Sequence, residues 1–198
     1  MRIIILSKAP VPGKVKTRLL TRYTVEQAAK LHEQMASTVI KKALKVCSDI
    51  WLAVDDIKHP FFMPYANHPH IKLFKQSGGE LGERLARLHR QSLSTDNQAI
   101  LFLGTDSPHI SPDRYYEANA QLKAHDIVIG PVEDGGYDLI GLKVWTPTVF
   151  QNINWGTATV FEETIHTIND LGLSVKALDM SFDLDRPQDI DRAPPHTW

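Results

Sequence analysis

The chain has 198 residues, 42% hydrophobic and 23% charged, with a net charge of −1. That length and apolar content suit one globular domain over residues 1–198 and exclude a disordered chain. A charge so near zero excludes a global field drawing in nucleic acid or an anionic membrane, so any anion site must come from a local cluster.

Cys47 is the only cysteine, which excludes an intrachain disulfide and fits a reducing compartment. Its apolar helical surroundings read as a small buried hydrophobe rather than a nucleophile. The first apolar run, Ile3 to Leu6, is followed by Lys8 and is too short for a secretory core or a membrane span. The expectation is a cytoplasmic protein with no membrane span. Oligomeric state is not legible.

Arg2–Leu6 is a continuous aliphatic run, as in a central parallel strand covered on both faces. A helix is expected from about Thr24 to Val46. Thr24 and Gln27 form a capping box, and Ala28, Leu31, Met35, Val39 and Ala43 recur at helical spacing. Ile50–Val54 and Ile71–Phe74 read as strands, and Glu80–Leu93 as a helix through Leu81, Leu85 and Leu88. Ala99–Leu103 is an interior strand running into Gly104-Thr105-Asp106-Ser107-Pro108. Ser111 and Pro112 open a helix ending near Ala124. Asp126–Gly130 and Leu139–Lys143 are strand-like around a Gly135-Gly136 turn. Thr159 with Glu162 caps a helix closing at Gly172, Ser174–Leu178 is a last strand, and Pro187 opens a short terminal helix. Alternation of this kind predicts a three-layer α/β/α fold around a mostly parallel sheet, with ligands bound beyond the carboxyl ends of strands.

The loop after the first strand carries Lys8, Lys14, Lys16 and Arg18 within eleven residues, with Pro10, Pro12 and Gly13 fixing its path. Such cations suit a di- or triphosphate, although an exposed loop of solvated charges has the same letters. It is neither a P-loop, since Val15 and not Ser or Thr follows Lys14, nor a dinucleotide loop, since it holds a single glycine.

Asp106, at the end of a strand, is a hard oxygen ligand suited to magnesium. Asp183 and Asp185 alternate in an extended segment and share one face; a metal, Arg18 or Arg186 would relieve their repulsion, and Asp185 could instead cap the Pro187 helix. Glu133, Asp134, Gly135, Gly136 and Tyr137 lie on a turn that either receives sugar hydroxyls or is a plain two-glycine hairpin. Gln76 to Arg84 follows a strand and opens a helix; the Gln76 amide could read a base edge. No zinc-like histidine spacing and no nucleophile elbow is present. His109 is the one histidine near Asp106.

Four segments, Lys8–Leu19, Gly104–Pro108, Gly130–Leu142 and Asp183–Ile190, together resemble bacterial glycosyltransferase-A-like transferases of the radical SAM/selenodomain-associated type. These belong to the nucleotide-diphospho-sugar transferase superfamily. Lys16-Thr17-Arg18-Leu19 is also similar to phospholactate guanylyltransferases. The resemblance implies that Lys8, Pro10, Gly13, Lys14, Lys16 and Arg18 hold nucleotide phosphates, with Gln76 and Gly82 near the base. It implies that Asp106, with Asp183 or Asp185, holds Mg2+ or Mn2+, with Asp106, Lys16 and Arg18 as catalytic residues. Residues Glu133 to Tyr137 would face the sugar or acceptor. Asp138 departs from the family pattern, where an aromatic residue is expected, and leaves sugar or acceptor preference open. The expected activity is glycosyl transfer from a nucleotide sugar to a small-molecule acceptor. The alternatives are nucleotidyl transfer from a nucleoside triphosphate with release of pyrophosphate, and a non-catalytic nucleotide-binding protein.

Overall fold

Arg2–Ser7 forms β1, buried along most of its length because both faces of the sheet are covered. The computed structural model describes residues 1–198 except Ser77 and Asn97, so Ser77 of the Gln76–Arg84 segment lies outside the described residues. β1 pairs in parallel with β2 (Ile50–Val54) on one side and with β4 (Ile100–Leu103) on the other. With β3 (Ile71–Lys75), β5 (Ile127–Pro131), β6 (Tyr137–Leu142) and β7 (Val175–Ala177), the sheet order is β3-β2-β1-β4-β6-β5-β7. Only β6 among these strands runs antiparallel to its neighbours. It folds back from β5 over the Gly135-Gly136 turn and inserts beside β4.

Alternate residues of β1 serve opposite layers, as strand geometry requires. Ile3 and Ile5 pack with Val39 and Ala43 of α1 (Val25–Val46) and with Tyr115 and Ala118 of α4 (Asp113–Gln121). Ile4 packs with Leu85 and Leu88 of α3 (Leu81–Leu93) and with Ile168 of α5 (Val160–Asp170). Each such buried aliphatic side chain contributes about 1.5–3 kcal/mol of transfer free energy. The three-layer α/β/α architecture expected from the alternation is the one found.

The Thr24–Gln27 capping box is present, each side chain bonding the other's backbone N–H. The expected Thr159–Glu162 pair is not: Thr159, in an αR conformation, makes no side-chain cap, and its Oγ1 donates to Glu163 at 2.7 Å. Unforeseen short elements are the 3₁₀ turns Thr17–Thr21 and Pro147–Phe150, and a turn of helix, α2 (Met63–Ala66), after Pro60–Phe62. Cys47 is half-buried rather than a core hydrophobe; it closes α1, with Sγ 3.1 Å from the Met1 carbonyl.

A third, smaller cluster decides where the ends of the chain go. Leu19, Leu31, Met35, Leu184 and Ile190 bury together, docking the basic loop and α6 (Pro187–Arg192) onto the N-terminal half of α1. This packing brings residues 183–185 beside residues 14–18.

Candidate functional site

The chain leaves β1 for β2 and β3 on one side, then returns to β4 on the other, so the strand order reverses between β1 and β4. A crevice opens beyond the carboxyl ends of strands at such a point. Here it is a cleft of about 370 Å³ lined by Lys8, Lys14, Lys16, Arg18, Gln76 and Asp106, among others, with Asp185 entering from the far end of the chain.

The loop reaches this cleft through defined bonds. The Ala9 N–H donates to Asp55 at 2.7 Å, and His32 Nε2 lies 3.0 Å from the Lys8 carbonyl. Gly13 takes φ +77°, which suits glycine, and Lys16 takes φ +48°, a left-handed conformation that costs a residue with a Cβ of order 1 kcal/mol or more. Its side chain repays that strain.

Lys16 is 4% exposed in its side chain, and its ammonium sits 2.7 Å from Asp106 and 2.7 Å from Asp185. It also donates to the Leu184 carbonyl at 2.9 Å. An ammonium has three donors, so all are satisfied by protein. Burial opposes the charge on Lys16, but the two carboxylates outweigh it and raise its pKa. For Asp106, burial likewise favours the neutral acid, yet the Lys16 charge and hydrogen bond hold the carboxyl below its ordinary value. Lys16 is thus a clamp between two loops, whereas Lys8 and Lys14 are exposed on the cleft and make no ion pair among the described residues. Arg18, 56% exposed, bonds Asp185 at 3.1 Å.

Asp183 and Asp185 therefore differ. Asp185 is tied to Lys16 and Arg18 and does not cap α6; Asp189 does, accepting from the backbone N–H of Asp185 at 3.1 Å and of Arg186 at 2.7 Å. Asp183 accepts from Ser107 Oγ and has no ion-pair partner among the described residues. Burial, and then the Asp106 charge, push its carboxyl up to about 7. That surplus of negative charge fits a divalent cation. Asp106 and Asp183 both line a second cavity of about 190 Å³ that shares Leu6, Leu81, Gly104 and Asp106 with the cleft. Among the described residues no three His, Cys, Asp or Glu side chains form a ready-made cage. A cation here would share its coordination with substrate phosphates, as magnesium commonly does.

Other expected residues are placed differently. Gly82 does not line the cleft: a Cβ there would lie 2.3 Å from the Phe150 carbonyl oxygen, so glycine lets α3 pack on the 147–155 segment around a separate surface cleft. Pro10 is buried and Gly13 shapes the loop, neither lining the cleft. Gln76 does line it, but its amide is taken: Nε2 donates to Ala53 and Ser7 carbonyls at 2.8 and 3.3 Å, and Oε1 accepts from Arg84 at 2.7 Å. Gln76 therefore aims Arg84, an unassigned fifth cation, at the cleft from the side facing the basic loop. The acidic turn is a hairpin whose residues 133–136 line neither cavity. Glu133 pairs with Arg192 at 2.7 Å, Asp134 accepts from the Gly136 N–H at 2.9 Å, and a Cβ on Gly135 would meet Ala158. Tyr137 and Asp138 line the second cavity. Asp138 lies 2.9 Å from Arg114, and Gly130 makes room for that pair. His109 stacks on Phe182 at 4.1 Å, and burial lowers its pKa to about 4.

A family model described as "Uncharacterized protein conserved in bacteria (DUF2064)" matches residues 21–157, well over half of the chain. The chain belongs to the DUF2064 family. No curated protein matches it. Among solved structures, this DUF2064 chain is similar to a protein of Desulfovibrio desulfuricans G20 provisionally assigned as a nucleotide-diphospho-sugar transferase. The two are 28% identical with a TM-score of 0.88, over 96% of this chain and 84% of that one. It is also similar to a CMP:2-keto-3-deoxy-manno-octonic acid synthetase complexed with CTP, at 13% identity and TM-score 0.56, covering 96% and 95% of the two chains. A Mycobacterium tuberculosis H37Rv protein complexed with manganese matches at 16% identity and TM-score 0.53, over 96% of both chains. The DUF2064 chain has the nucleotide-diphospho-sugar transferase fold, shared by transferases and nucleotidyltransferases. Among the described residues no helix is long and apolar enough to cross a membrane.

Proposed function

We propose that this DUF2064 chain is a cytoplasmic, single-domain, metal-dependent transferase that moves a glycosyl group from a nucleotide-diphospho-sugar to a small acceptor. The observation that carries the reading is the convergence on one cleft, at the strand-order reversal, of cations from the first loop and Asp106 from the loop after β4. Lys8, Lys14, Arg18 and Arg84 would hold the diphosphate, and Lys16 would keep Asp106 and Asp185 in register. Asp106 and Asp183 would hold Mg2+ or Mn2+, which when bound supplies positive charge to the departing diphosphate. The chain's own part is to position donor and acceptor and to fix charges before reaction, which avoids reorganisation in the transition state. The finer assignment, to the radical SAM/selenodomain-associated type, rests on the four resembling segments.

Nucleotidyl transfer is the second reading, favoured by the number of cations, which would suit a triphosphate. Calorimetry with nucleotide sugars and nucleoside triphosphates of each base, with magnesium or EDTA, tests both. Tightest binding of a nucleotide sugar, with nucleoside diphosphate released on turnover, supports glycosyl transfer. Tightest binding of a triphosphate, with pyrophosphate released, selects the second reading, and no metal-dependent binding overturns both.

A further inference from the structure

The two cavities that meet at Asp106 are built from opposite materials. The cleft beside the basic loop is lined by Lys8, Lys14, Lys16, Arg18 and Arg84. The 190 Å³ cavity on the other side of Asp106 has no Lys, Arg or His in its described lining. Its walls are aliphatic and aromatic, chiefly Leu85, Phe102, Tyr137 and Ile140, and its polar groups are Ser107 and the carboxylates Asp106, Asp138 and Asp183. Asp138 is held by Arg114, whose guanidinium stands outside that lining.

In the metal-free protein a phosphate or carboxylate entering this space would meet three carboxylates and no cation. A polyhydroxylated sugar could bond these few acceptors, but its remaining hydroxyls would lose water against the aliphatic and aromatic walls, at an unfavourable cost. An apolar cavity of about 150 Å³ accommodates benzene, so this one suits a body of about that size.

We infer that this second cavity, and not the Glu133–Gly136 turn, receives the acceptor, and that the acceptor is a compact molecule with an apolar body bearing a hydroxyl or an amine. The role as acceptor site rests on the transferase reading above. The hydroxyl oxygen or amine nitrogen forms the new bond to the sugar's anomeric carbon. The bond from that carbon to the nucleoside diphosphate breaks with its electron pair going to the diphosphate, and the acceptor's proton passes to Asp138, the cavity carboxylate that is not assigned to the metal.

Saturation-transfer NMR on the full chain, without nucleotide or metal, tests the cavity with four probes: benzyl alcohol, benzylamine, benzoate and glycerol. The first two are expected to bind saturably, at least fivefold tighter than the last two, and Leu85→Trp, which fills the cavity, to abolish their binding. Should Leu85→Trp not fold, Leu85→Ala enlarges the space and should admit 2-naphthylmethanol, which the wild type rejects. Benzoate or glycerol binding as well as benzyl alcohol, or probe binding indifferent to both substitutions, overturns the inference. Probe binding in a protein that takes up no nucleotide leaves the cavity's chemistry standing and removes its acceptor role. In a protein that does bind a nucleotide sugar, benzyl alcohol should raise nucleoside diphosphate release at least tenfold, and no rise would remove that role too.

Discussion

Lys16 Nζ lies 2.7 Å from a carboxylate oxygen of Asp106 and 2.7 Å from one of Asp185. One ammonium thereby joins the loop after β1, the loop after β4 and the approach to α6, three segments far apart in sequence. Lys16→Met should leave Asp106 without its cation and Asp185 with Arg18 alone. Removing one partner of a fully buried pair costs about 3–5 kcal/mol; because Asp106 and Asp185 are partly solvated, about 1–3 kcal/mol is expected here. Urea denaturation should record that loss for Lys16→Met and almost none for Lys8→Ala or Lys14→Ala, which should instead weaken nucleotide binding.

Arg84 lines the cleft and donates to the Gln76 amide oxygen at 2.7 Å. Arg84→Ala should lower nucleotide affinity about tenfold, about 1.4 kcal/mol, with little change in stability. Gln76→Ala should lower it by a similar factor and also destabilise the fold, since bonds to the Ala53 and Ser7 carbonyls are lost with it. Calorimetry and thermal melting on the same samples separate the two. A Gln76→Ala protein that keeps full affinity would contradict the positioning role.

Gly82 and Gly135 are packing residues, and their substitution should act on stability before binding. A Cβ on Gly82 would stand 2.3 Å from a backbone oxygen, and one on Gly135, at φ +88°, would stand 1.9 Å from another. Overpacking of this kind typically costs about 1–3 kcal/mol. Gly82→Ala should therefore lower the urea midpoint while the folded fraction binds nucleotide with unchanged affinity.

His89 lies 2% exposed on α3, edge-on to Trp145 at 4.7 Å. Burial lowers its pKa from 6.5 to about 4. The unfolded chain takes up the proton first as pH falls, so the stability from a neutral His89 is fully present above 6.5 and is lost between 6.5 and about 4. Between pH 7 and pH 5 that loss is about 2 kcal/mol. His89→Phe should flatten the pH dependence of stability by about this amount over that interval.

The central strands, the capping box of α1 and the side of the sheet on which the cleft opens were legible because aliphatic runs and helix caps are local signals. Asp106 was legible for the same reason, since the loop that follows an interior strand opens onto the crevice, where Asp106 lies. What lay hidden depends on long-range packing. Glu133 and Asp185 are acids in open segments, and nothing local reveals that one serves Arg192 and the other Lys16 and Arg18. Gly82 and Gly135 have the letters of ligand-approach glycines but are approached by the protein's own backbone. Arg84 was passed over because its direction follows from the rotation of α3 against β3, which the Gln76 hydrogen bond reports only once both are in place. The antiparallel insertion of β6 beside β4 leaves no mark in a pattern of apolar residues alone.

The central claim is that the first-loop cations and Asp106 form one nucleotide and metal site. Thermal melting of the wild type and of Asp106→Asn, each with nucleotide and with either magnesium or EDTA, tests it most directly. Ligand that binds only the folded state raises stability by mass action, so the wild type should gain an extra, magnesium-dependent rise that Asp106→Asn lacks, each protein being compared with its own ligand-free melting temperature. An equal magnesium-dependent rise in both proteins, or none in the wild type, would contradict the account.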